Sequence, residues 1–120
     1  MNRLIVSDVQ PDLLDLGPYN LRVEQICLLL VARHPDWIYL DEDILLDLTA
    51  NVSKYRGRTF LSPDRLVRSR FHMRKVNTLT IHLFRMARKL DWSFVIVGPG
   101  ADKLDLRIRG YIDSVEVFEE

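Results

Sequence analysis

Apolar positions along the chain follow two rhythms. In Arg74–Leu90, Leu79, Leu83, Met86 and Leu90 recur at i, i+4, i+7 and i+11, which lines one side of a helix. The opposite side then carries Thr78, Ile81, Arg85 and Arg88. Ile81 is out of place on a face that meets only water, so this face is expected to meet a partner. Asn77 or Thr78 suits the N-cap, which sets the helix at 77–90. Asn20–His34 is apolar around most of its surface and predicts a central core helix ended by Pro35. Asp41 caps a further helix over 41–51 that buries Ile44, Leu45 and Leu48.

The other rhythm is that of strands. Arg3–Val9 alternates apolar with polar, and Leu13–Leu16 is a short second run before Gly17-Pro18, so 1–19 is expected to form a small N-terminal sheet. Trp37–Leu40 is a short apolar link between two helices. Trp92–Val97 is a β-branched and aromatic run broken at Gly98-Pro99-Gly100, and Leu104–Ile108 alternates apolar with charged. Strand, glycine turn and strand predict a hairpin over 92–109, with 110–120 a last strand or tail. In the long segment 52–75, Ser62-Pro63-Asp64 predicts an extra helix near 62–73, with Ser62 as cap and Pro63 at its first position.

A helix leading into a hairpin has the layout of a recognition helix followed by a wing. The runs LRVEQICLLLVARHPDWIYLDEDILLDL and NTLTIHLFRMARKL, followed by the hairpin, resemble the OmpR/PhoB-type winged-helix DNA-binding domain. Leu79, Ile81, His82, Leu83, Met86, Lys89 and Leu90 fall on that family's recognition-helix pattern. The resemblance implies an α+β fold: a winged helix-turn-helix with a small N-terminal sheet, a three-helix core and a C-terminal hairpin wing. Ala87 and Phe84 depart from the pattern, and segment 52–75 is longer than the family's loop. SDVQPDLLDLG superficially resembles the phospho-acceptor region of a receiver domain. It has no earlier strand or acidic pair, and the chain is not expected to alternate strand with helix as a doubly wound sheet requires.

One hundred and twenty residues suffice for one domain with one core. No apolar run approaches the roughly 20 residues that span a bilayer, and no secretion signal is read, so a cytoplasmic protein away from membranes is expected. Cys27 is the only cysteine, and with His34, His72 and His82 it makes no metal-site spacing. Neither a glycine-rich phosphate loop nor a nucleophile with a base is present, so no enzyme, cofactor or metal is expected.

The net charge of zero hides a sharp partition. Residues 1–53 carry −6, residues 54–90 carry +10 and residues 91–120 carry −4. A basic block that coincides with the proposed recognition helix has the electrostatic footprint of a phosphate-binding surface. Together with the resemblance it points to a sequence-specific, double-stranded DNA-binding transcriptional regulator.

Arg85 is the expected base reader, since arginine can donate two bonds to guanine. Ile81 packs either on a thymine methyl or on the inserted segment. Asn77, Thr78 and His82 suit phosphates, with Arg88 and Lys89 in the last turn. Lys54, Arg56, Arg58, Arg65, Arg68, Arg70, Arg74 and Lys75 form the basic segment, and Lys103 and Arg107 belong to the wing. The alternative is a winged-helix interaction module that grips an acidic protein. The resemblance makes RNA polymerase a candidate contact of the long loop and leaves homodimerisation open.

Overall fold

The computed structural model describes residues 2–7, 18–67, 75–98, 100 and 104–119, with the backbone alone at 18–20 and 76. It overturns the winged-helix expectation. Five strands form one sheet in which every pairing is parallel, in the order β2-β3-β4-β1-β5. The strands are β1 (Arg3–Val6), β2 (Ile38–Tyr39), β3 (Thr59–Pro63), β4 (Ser93–Gly98) and β5 (Ser114–Val117). Between them run the helices α1 (Pro18–Arg33), α2 (Glu42–Ala50), α3 (Lys75–Leu90) and the single turn α4 (Leu106–Arg109). Strand and helix alternate along the chain, so this is a doubly wound α/β fold rather than an α+β one.

The strands show why. Along β4, Phe94 and Ile96 point into one core while Val95 and Val97 point into another. Phe60 and Leu61 of β3, and Leu4 and Ile5 of β1, divide in the same way. A strand apolar on both faces belongs inside a parallel sheet with helices on each side. The chain first crosses from β1 to the far edge at β2, and α1 covers one face with Val23, Ile26, Cys27 and Leu30. Every later crossover runs the other way, and α2, α3 and α4 lie on the opposite face. A reversal of direction with a change of face keeps all the crossovers one hand.

The hairpin expectation fails at its second half. Leu104, Leu106 and Ile108 would share one face of a strand, but i and i+4 also share one face of a helix. Leu106 is exposed and Ile108 buried within a helical turn, and Leu104, buried ahead of it, makes only an isolated bridge. Asp105 caps that turn, its carboxylate accepting from the Arg107 amide at 2.9 Å. β4 is flanked by β3 and β1, so it has no free edge for a wing strand.

Other boundaries shift less. The cap at Asp41 forms as expected and accepts from the Ile44 amide at 2.8 Å. The expected link at Trp37–Leu40 contains the edge strand β2. Ser62 and Pro63 end β3 instead of opening a helix, and Asp64–Leu66 makes one 3-10 turn. The rest of the expected helix, at 68–73, lies outside the described residues, as does the expected strand Leu13–Leu16. α1 is not central, since Leu21, Leu28 and Leu29 are exposed on its outer side. Among the described residues no helix is long and apolar enough to cross a membrane.

Candidate nucleic-acid interface

α3 lies against the sheet, and its buried side is Asn77, Thr80, Ile81, Phe84 and Ala87, with Leu83 beside them. That stripe stands roughly 100° round the helix from the one expected through Leu79, Met86 and Leu90, which are only half-buried. Phe84 stacks on Phe94 of β4 with ring centroids 4.3 Å apart. Ile81 is 2% exposed and Asn77 is 2% exposed, so neither can touch a partner. Asn77 instead donates its side-chain amide to the Arg65 carbonyl at 3.2 Å, tying α3 to the 3-10 turn that follows β3.

The outer side of α3 is polar and basic. Lys75, Thr78, His82, Arg85 and Lys89 are all exposed and fall at i, i+3, i+7, i+10 and i+14, one continuous line along the helix. Arg88 is exposed at its flank. α3 contains no acidic residue, and none of its four Lys and Arg side chains is ion-paired to a described carboxylate. The line is about 21 Å long at 1.5 Å per residue. The Gly57 amide donates to the Leu90 carbonyl at 3.4 Å, which brings exposed Arg56 to the basic end of the helix. Asp91 is the acidic neighbour there, with its carboxylate near Gly57. A cleft of about 190 Å³ runs beside Arg85 and Arg88 to Tyr111 and Asp113. It is smaller than the roughly 300 Å³ at which drug-sized ligand pockets begin.

The remaining candidates do not join this face. Lys54 is paired with Asp47 at 3.2 Å. Arg58 donates to the Asp36 carbonyl at 3.2 Å. Arg65 is half-buried and forks onto Glu42, one of the two bonds measuring 3.4 Å. That hydrogen bond is the main reason the Glu42 carboxyl is held below its ordinary value. Arg107 is on α4, not on a wing, and grips Asp105 at 2.9 Å. Arg68, Arg70, Arg74 and Lys103 lie outside the described residues.

A second group of polar side chains gathers at the carboxyl ends of the strands, where open parallel sheets hold ligands. Ser7, Ser62, Asp64 and Asp105 are buried there. The Ser7 amide donates to the Gly98 carbonyl at 2.7 Å, which closes β1 against β4. Sequence reasoning passed over Asp64 and Asp105 because a carboxylate reads as surface by default. The available signal was Asp64 directly after an apolar run that ends in Ser-Pro. The β1–α1 connection holds one glycine and no lysine, so it is not a G-x-x-x-x-G-K-[ST] phosphate loop.

Comparison with protein-family models, with curated proteins and with solved structures finds no match to this chain. The residues themselves therefore carry the functional reading.

Proposed function

We propose that the protein binds double-stranded DNA with the outer face of α3 laid along the phosphate backbone. The observation that carries this reading is the line of exposed Lys75, Arg85 and Lys89 with His82 among them; the three cations have no described carboxylate partner. Each phosphate neutralised releases condensed counterions, so affinity falls steeply with salt. Arg56 and Arg88 extend the contact at the carboxyl end of the helix. Phosphates supply most of the grip through the exposed cations; burial of Ile81 removes an expected base contact, and burial of Asn77 an expected phosphate contact. Arg85, one helical turn before the carboxyl end of the exposed line, is the residue through which bases would be read. A role in transcription follows if one sequence is preferred.

The test is a salt titration with a labelled duplex. Wild-type affinity should fall linearly on a log–log plot. Replacing Lys75, Arg85 and Lys89 together by Gln should flatten the slope by about 0.9 for each phosphate lost. No binding at low salt, or an unchanged slope in the triple variant, overturns the proposal. Arg85→Ala separates the two modes of contact. Loss on one preferred duplex alone marks base reading, and equal loss on every duplex marks a phosphate contact.

A further inference from the structure

The cleft beside Arg85 and Arg88 lies at the amino end of the sheet, between the last turns of α3 and the segment that enters β5. It is remote from the buried serines and aspartates at the carboxyl ends of the strands. Its two walls carry opposite charge. Arg85 and Arg88 stand one turn apart on α3, and Asp113 faces the same space from the start of β5. Neither arginine is ion-paired to a described carboxylate, Asp113 included. Opposite charges therefore line one small cavity without closing on each other.

Asp113 is locked where it stands. Its carboxylate accepts from the Asn2 backbone amide at 2.7 Å, and its own amide donates to the Asn2 carbonyl at 2.8 Å. Asn2 is 8% exposed and is fixed in turn. Its side-chain oxygen accepts from the Phe94 amide at 3.2 Å, and its side-chain amide donates to the Tyr111 carbonyl at 3.0 Å. One Asp113 carboxylate oxygen and one Asn2 side-chain hydrogen remain without a partner among the described residues. Both residues line the cleft.

This lining selects its ligand. A simple anion would meet Asp113 and the negative end of α3. A simple cation would meet two guanidinium groups. A molecule that carries both charges meets each with its opposite. The cleft of about 190 Å³ has the liquid volume of roughly six waters, room for a molecule on the order of six non-hydrogen atoms. We propose that it binds a small free α-amino acid as the zwitterion, with the carboxylate on Arg85 and Arg88 and the ammonium on Asp113. Arginine forks onto carboxylates with two parallel bonds, and hydrogen bonds between charged groups are the strong ones. The proposal does not rest on the DNA reading, although Arg85 belongs to both surfaces.

The probes are glycine, L-alanine, L-serine and L-threonine, titrated one at a time by calorimetry. No DNA is present, so the outcome is independent of any phosphate contact of α3. At least one of the four should bind saturably at low-millimolar concentration. Its N-acetyl form lacks the ammonium and its amide lacks the carboxylate, and each should bind at least tenfold more weakly. Asp113→Asn keeps an acceptor for the Asn2 amide but removes the charge. It should weaken the amino acid at least tenfold and leave the N-acetyl form unaffected. Arg88→Gln, an exposed change, should weaken the amino acid severalfold. Absence of saturable binding by all four probes overturns the proposal, as does equal affinity for the blocked forms. Full affinity in a folded Asp113→Asn or in Arg88→Gln also overturns it, by placing the ligand elsewhere. If Asp113→Asn does not fold, the blocked forms and Arg88→Gln still decide.

Discussion

Asp64 lies so close over Gly98 that a methyl group on Gly98 would stand 2.7 Å from the Asp64 Cβ and 3.0 Å from its Cγ. Both atoms are near the main chain and cannot swing aside as the end of a long side chain would. Glycine at the end of β4 is what lets the end of β3 close over it and bury the carboxylate. Gly98→Ala should therefore destabilise the fold by about 1–3 kcal/mol, the usual range for overpacking a tight site. A denaturant midpoint equal to wild type would show that the two strands spread freely at that point.

The Glu42–Arg65 pair gives an acid-side dependence. Hydrogen bonding from Arg65 holds the Glu42 carboxyl below its ordinary 4.5, so the folded state has the lower value. The stabilisation is complete above about 4.5 and is lost as the pH falls from there through the folded-state value. The pair is partly exposed, so its contribution should stay below about 1 kcal/mol. Thermal melts between pH 7 and pH 3 should show a shallower acid decline in Glu42→Gln than in wild type. Parallel curves would remove Glu42 from the acid transition.

Cys27 is buried between α1 and the sheet, and burial is the main cause that pushes its thiol up to about 12. At pH 8 roughly one thiol in ten thousand is then ionised, and the thiolate is the reactive form. Iodoacetamide should leave the native protein unmodified by mass and alkylate it fully in denaturant. Rapid modification of the native protein would mean that α1 lifts off the sheet on the reagent's timescale.

The three long helices were legible because each repeats its apolar residues over several turns. Asp41 as a cap is a local signal, and it stands. The sheet was hidden for particular reasons. β2 is two residues long, too short to show any alternation. β4 was legible as a strand at Trp92–Val97, but β3, equally apolar on both faces, was not, since periodicity does not separate it from other buried segments. At Leu104–Ile108 a strand and a helical turn both fit the pattern, and only the exposure of Leu106 tells them apart. The face of α3 was misjudged because Asn77 and Thr80 are polar yet fully covered, while the larger Leu79 and Leu90 sit at the margin. Arg85, His82 and Lys89 were legible as an outward face. The capture of Arg65 by Glu42 depends on a neighbour 23 residues away, whereas Lys54 and Arg107 pair with Asp47 and Asp105 close by in the chain.

The place of β1 in the sheet has a consequence for the order of events in folding. It is the first strand, yet it sits between β4 and β5. Its register partners for Arg3 are Val95 and Ser114. Asn2 binds both neighbours, accepting from the Phe94 amide at 3.2 Å and donating to the Asp113 carboxylate at 2.7 Å. During synthesis, β1 leaves the ribosome long before either neighbouring strand exists. A nascent chain can gather β2, β3 and their helices early, but the sheet closes only when its opening strand is threaded between the last two. Closing loops of that length before any reward is gained is slow, and the apolar Leu4-Ile5-Val6 segment has to wait uncovered in the meantime.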